Sequence, residues 1–136
     1  MNSLKKSRRS GVIINYLSII LILIIFYLVK FLGINKIYLL IELIPIALLI
    51  MTFKSAFLVT NFWKLTHTSS RKLDERELQI VYKATTFSYT IFTILCLIII
   101  YTFHLTGIGS IDVVLAAALL YFAHTLPAAI IVFTEK

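Results

Sequence analysis

The chain has 136 residues, of which 60% are hydrophobic and 14% are charged. Soluble domains carry about 25% charged residues, so this composition and a mean hydropathy of +1.00 exclude a soluble globular protein and predict a membrane protein. The net charge of +7 comes from basic residues beside apolar segments, a pattern that predicts membrane topology rather than nucleic acid as a partner. Since a spanning helix needs about 20 apolar residues, there is room for roughly four.

The first predicted helix follows a basic cytoplasmic tail at 1–11. The basic residues of that tail are Lys5, Lys6, Arg8 and Arg9. The apolar run at 12–32 is longer than the core of a signal peptide, which has about 7–15 residues. We therefore expect an uncleaved transmembrane helix at 12–32, then a tight turn and a second transmembrane helix at 37–59.

A polar stretch at 60–73 predicts a cytoplasmic loop, and the third helix starts after it. Asp74 has the features of an N-cap, with Glu77 placed to complete a capping box. A helix over 74–105 is longer than the hydrocarbon core of about 30 Å, so its first turns extend into the cytoplasm. A fourth transmembrane helix is predicted at 111–133, where Asp112 can cap its start.

Most Lys and Arg residues lie in segments on the same side of the membrane as the N-terminus. Because such residues accumulate in the cytoplasm, this predicts an N-in/C-in topology with Glu135 and Lys136 in the cytoplasm. The predicted fold class is therefore all-α: an integral membrane bundle of four transmembrane helices, forming a single membrane domain over 1–136. The bilayer is the predicted environment, and the basic cytoplasmic segments are expected to attract anionic lipids.

Two ionisable side chains inside the predicted spans are candidates for chemistry. A carboxylate in a span is costly, so Glu42 is either a proton site or the interfacial partner of Lys36 or Lys30. The imidazole of His124 can relay protons or bind a metal. Alternatively, it hydrogen-bonds to a threonine or tyrosine of the third helix.

A mainly polar line follows one face of the third helix. Its members, at alternating steps of three and four, are Tyr82, Thr86, Thr90, Thr93, Leu97, Tyr101 and His104. Because lipid does not favour such a face, we expect it to pack against the fourth helix and to meet His124. The candidate intramembrane polar site comprises Glu42, Thr93, Tyr101, His104 and His124.

The charged start of the third helix has two interpretations. Asp74, Glu75, Arg76 and Glu77 form a cytoplasmic docking epitope, or they only cap a helix that stands at the membrane surface.

No catalytic motif is recognisable in the sequence. There is no glycine-rich phosphate loop and no nucleophile elbow, and the single cysteine, Cys96, cannot form an intramolecular disulfide. The predicted topology separates His67 from His104 by the membrane, so the three histidines do not form one metal site. We expect no enzyme activity, no cofactor and no metal.

The segment LDERELQIVYKA, followed by an apolar helix, and the final segment YFAHTLPAAIIVFTEK resemble a group of uncharacterised small bacterial four-helix membrane proteins with a DERE-type juxtamembrane helix start. The resemblance covers roughly the second half of the chain. It implies a bacterial origin and a multi-pass location in the plasma (inner) membrane. It implies nothing about an activity.

We therefore expect a non-catalytic accessory or interaction subunit of the bacterial plasma membrane, bound to another membrane protein or to a second copy of itself. The alternative is a small oligomeric transporter or ion-coupled protein that uses Glu42 or His124.

Overall fold

The computed structural model describes residues 2–107 and 109–134, with side chains described from Lys6 onward. These residues form helices and short connections without a strand. Four helices are long and apolar enough to cross a membrane: Lys6–Phe31, Lys36–Leu58, Glu75–Thr106 and Val113–Thr134. The all-α prediction with four helices of spanning length is therefore confirmed. The side chain of Lys5 and the residues Glu135 and Lys136, which were assigned to the cytoplasm, lie outside the described part.

The chain forms two compact units, Met1–Trp63 and Lys64–Lys136. In the first unit, α1 runs over Asn2–Phe31, so that the basic segment before the apolar run is itself helical. The second apolar segment changes helix type twice, and its parts are a 3-10 helix at Lys36–Glu42, α2 at Leu43–Phe53 and a π-helix at Lys54–Leu58. A short helix, α3, follows at Asn61–Thr66 and contains the boundary between the two units.

Pro45 explains the first change of helix type. Proline has no N–H, so it cannot donate the bond to the carbonyl four residues earlier that an α-helix requires, but it is tolerated in the first turn of a helix. In the structure, the α-helical part begins at Leu43, which places Pro45 in that first turn. The segment before it takes the tighter 3-10 form.

A buried polar contact and a close backbone approach hold the first unit together. The Asn15 side chain is 0% exposed, and its Nδ2 donates to the Leu49 carbonyl oxygen at 3.0 Å and to Thr52 Oγ1 at 2.9 Å. Near the π-helix, a Cβ added to Gly11 would lie 3.1 Å from the Cβ of Ala56. Small residues at such crossings let helix backbones approach closely in a membrane.

In the second unit, a 3-10 turn at Ser70–Lys72 precedes α4 (Glu75–Thr106), and α5 (Val113–Thr134) packs against α4. The predicted capping box is confirmed. The Glu77 N–H donates to Asp74 Oδ1 at 2.7 Å, and the Asp74 N–H donates to Glu77 Oε2 at 3.2 Å.

The turn between α4 and α5 is also set by local chemistry. Gly107 ends α4 with a left-handed backbone (φ 62°), which glycine adopts without steric cost. Asp112 caps the next helix, as expected, by accepting a hydrogen bond from the Leu115 N–H at 2.9 Å. Both ends of the turn thus follow from residues within a few positions of it.

Candidate functional site

Glu42 lies at the end of the 3-10 segment, inside the candidate span Lys36–Leu58. Its Oε1 is buried and has no hydrogen-bond partner among the described residues. The two lysines considered as its interfacial partners, Lys30 and Lys36, line a pocket of about 390 Å³. Lys30 Nζ lies 5.5 Å from the centroid of the Tyr27 ring. One oxygen of the carboxylate is thus removed from solvent without a donor in this part of the protein.

The polar line of α4 does not pack as expected. Tyr82 is 73% exposed and Tyr101 is 62% exposed. Thr86, Thr90 and His104 are exposed as well, and Thr93 is half-buried. The expectation that this face packs against the fourth helix is therefore wrong.

The buried residues of α4 lie on its other side. They are Ala84 and Ser88, which stand one helical turn apart. Small residues at this spacing allow close helix packing in membranes, and Ser88 Oγ satisfies its own donor by bonding to the Ala84 carbonyl oxygen at 2.6 Å. The sequence interpretation weighed polarity alone and missed this pair of small residues.

A threonine of the exposed face also bonds to its own helix. Thr90 Oγ1 donates to the Thr86 carbonyl oxygen at 3.1 Å. Such bonds satisfy the hydroxyl proton and leave a lone pair on each oxygen free to accept from a neighbour. The tyrosine hydroxyls project too far to reach the backbone of their own turn.

His124 pairs with a histidine that the sequence interpretation placed in a separate loop. The rings of His67 and His124 lie with their centroids 4.9 Å apart and their planes inclined by 71°. His67 directly follows α3, and its Nδ1 lies 3.0 Å from Thr66 Oγ1. Both histidines are exposed. No local pattern could have predicted this contact, because 56 residues separate the two positions in the sequence.

The acidic and basic residues at the start of α4 divide into two pairs. The carboxylates of Asp74 and Glu77 bond to backbone N–H groups in the capping box. Glu75 and Arg76 are exposed. Capping therefore accounts for half of the suggested docking epitope.

Within residues 2–107 and 109–134, no group of three or more His, Cys, Asp or Glu side chains is placed to hold a metal ion. Comparison of the chain with protein-family models, curated proteins and solved structures finds no match in any of the three.

Proposed function

We propose that this chain is a non-catalytic interaction subunit of the bacterial plasma membrane, which binds a transmembrane helix of another membrane protein through the exposed polar face of α4. The observation that carries the proposal is the pair Thr86 and Thr90. These small residues stand four positions apart on an exposed face, which is the spacing at which transmembrane helices approach each other closely.

The two pairs of small residues on α4 suggest two separate packing surfaces, one within the chain and one for a partner. Ala84 and Ser88 are buried within the chain, whereas Thr86 and Thr90 are exposed. Tyr82 and Tyr101 lie on the same exposed face and add hydroxyl groups that are donors as well as acceptors. Hydrogen bonds across transmembrane helices contribute about 0.6 kcal/mol each on average, so several of them on one face give specificity without strong affinity.

Photocrosslinking in native membranes tests this proposal. A photoreactive amino acid at position 86 should form an adduct with one other membrane protein, mapped by mass spectrometry to a spanning segment of that protein. The matched control is Phe87, which is also exposed but points about 100° away around the helix. Equal adducts at both positions, or adducts only with a second copy of the chain, would contradict the proposal.

The proposed orientation is N-in/C-in. Basic residues that precede α4 support it, because Lys and Arg accumulate on the cytoplasmic side and attract anionic lipids by about 1 kcal/mol each. Reporter fusions at Ser70 and Gly109 should give cytoplasmic and external signals, respectively. A cytoplasmic signal at Gly109 would overturn the orientation.

A second candidate function is ion-coupled transport through Glu42, supported by the buried Oε1 without a hydrogen-bond partner among the described residues. Intramembrane carboxylates often face ion pathways. Purified protein in liposomes should then conduct protons or cations, and Glu42→Gln should abolish the flux while Glu75→Gln, at an exposed position, should not. Flux no greater than in empty liposomes would exclude this function.

A further inference from the structure

We propose that a pocket at one end of the first unit binds the phosphate headgroup of an anionic phospholipid. The pocket has a volume of about 390 Å³ and is lined by Phe26, Val29, Lys30, Gly33, Ile34, Lys36 and Leu39. All of these residues belong to the first unit, Met1–Trp63, whereas the proposed interaction surface lies on α4 in the second. The lipid site is therefore independent of the proposed function.

The pocket lies where the two candidate spans of the first unit meet the membrane surface. Lys30 stands in the last turn of α1, and Lys36 is the first residue of the second candidate span. Lysines at the ends of spans reach the headgroup region while their methylene stems stay on apolar surface. We therefore expect both ammonium groups at the level of the lipid phosphates. The basic segment that begins α1 lies at the opposite end of that helix, so the pocket is separate from it.

The charge of the pocket selects an anionic ligand. Among the described residues that line it, Lys30 and Lys36 are basic and none is acidic. The one carboxylate side chain in the sequence of the first unit belongs to Glu42, which does not line the pocket. An ammonium group binds phosphate as a point charge. The attraction therefore depends on the charge and position of the two lysines rather than on one particular hydrogen bond.

Aromatic rings hold the Lys30 ammonium group beside the pocket. Its Nζ lies 5.5 Å from the ring centroid of Tyr27, and 6.0 Å and 5.9 Å from those of Phe26 and Phe31. A cation is attracted to the face of an aromatic ring within about 6 Å of the centroid. A lysine side chain that is already held in this way loses less conformational entropy when an anion binds.

The apolar walls of the pocket favour a lipid over a free phosphate ion. Val29 is buried, and Phe26 and Leu39 are half-buried. Mostly apolar walls with a few polar groups, in a volume of about 300–1,000 Å³, are typical of ligand pockets. A headgroup phosphate bound by the lysines would bring the attached acyl chain against these walls, which a phosphate ion would leave uncovered.

Native mass spectrometry of the full-length protein in detergent, with lipid added, measures the binding of the first lipid. Phosphatidylglycerol, which is anionic, should bind at least about fivefold more tightly than zwitterionic phosphatidylcholine. Lys30→Gln and Lys36→Gln should each weaken the binding of phosphatidylglycerol by about fivefold, because each removes the attraction of one basic residue. Lys54→Gln is the matched control, since it removes an exposed lysine near the other end of the second span. It should bind as the unaltered protein does.

A second pair of variants tests the pocket rather than its charge. Ile34→Trp puts a larger side chain into the pocket wall, keeps both lysines and should weaken the binding of phosphatidylglycerol by a similar factor. Ile37→Trp, at an exposed position outside the lining, should leave it unchanged. Glycerol 3-phosphate should not displace the lipid, because it has no acyl chain.

Three results would overturn the proposal. The first is equal binding of the two lipids by the unaltered protein. The second is an equal loss of binding in the Lys54→Gln and Lys36→Gln variants, which would show a general effect of charge. The third is displacement of the lipid by glycerol 3-phosphate, which would show a site for free phosphate groups instead.

Discussion

Asn15 and Thr90, polar residues in candidate spans of the two units, form their hydrogen bonds in opposite ways. In Met1–Trp63, Asn15 is fully buried and donates two hydrogen bonds to the second span. In Lys64–Lys136, Thr90 is exposed and bonds to the backbone of its own helix. Of these two residues, only Asn15 links its helix to another segment of the chain.

Small residues show the same contrast. A Cβ added to Gly11 would lie 3.1 Å from the Ala56 Cβ, closer than an ordinary van der Waals contact. On α4, one small pair is buried and the other, Thr86 and Thr90, is exposed. The close approach of Gly11 and Ala56 lies within the first unit, whereas the pair Thr86 and Thr90 of the second unit is exposed. Three substitutions test this comparison.

Gly11→Leu should have the largest effect. An added Cβ would already lie 3.1 Å from the Ala56 Cβ, so a leucine must push α1 away from the π-helix, at a cost of about 1–3 kcal/mol. The measurement is the free energy of unfolding in mixed detergent micelles. Ser10→Leu, at the exposed neighbouring position, is the control. Equal stability of the two variants would show that the contact is not tight.

Asp74→Ala should have an intermediate effect, confined to the start of α4. The substitution removes the acceptor for the Glu77 N–H, and loss of an N-cap costs about 1 kcal/mol. Amide hydrogen exchange should become faster in the first turn of α4. Asp74→Asn retains an acceptor oxygen and should exchange nearly as slowly as the unaltered protein. Slow exchange in the alanine variant would mean that the capping box contributes little.

Asn15→Leu should have the smallest effect on the free energy of unfolding. Together with Thr90→Val, it compares a polar residue of the first unit with one of the second. Interhelical hydrogen bonds in membranes contribute about 0.6 kcal/mol on average and up to about 1.7, so the loss should be measurable in the same unfolding assay. Thr90→Val removes a hydroxyl that bonds only within its helix and should leave stability unchanged. A larger loss in Thr90→Val than in Asn15→Leu would reverse the comparison.

The sequence by itself determined the features that depend on local chemistry or on composition. Four helices of spanning length follow from apolar runs, and the caps at Asp74 and Asp112 follow from side chains that reach backbone groups within three residues. Only the tertiary structure decided which face of α4 is buried, because polarity favoured one side and close packing of Ala84 and Ser88 favoured the other.

The contacts of Asn15 with Thr52 and of His67 with His124 were likewise decided only in three dimensions. Each joins residues that lie far apart in the sequence, so it depends on the register of one helix against another segment. Hydropathy and helical period do not set that register. The capping box is predictable because its two residues lie in one helical turn. The contact between His67 and His124 is not predictable, because it depends on the path of the chain through the whole second unit.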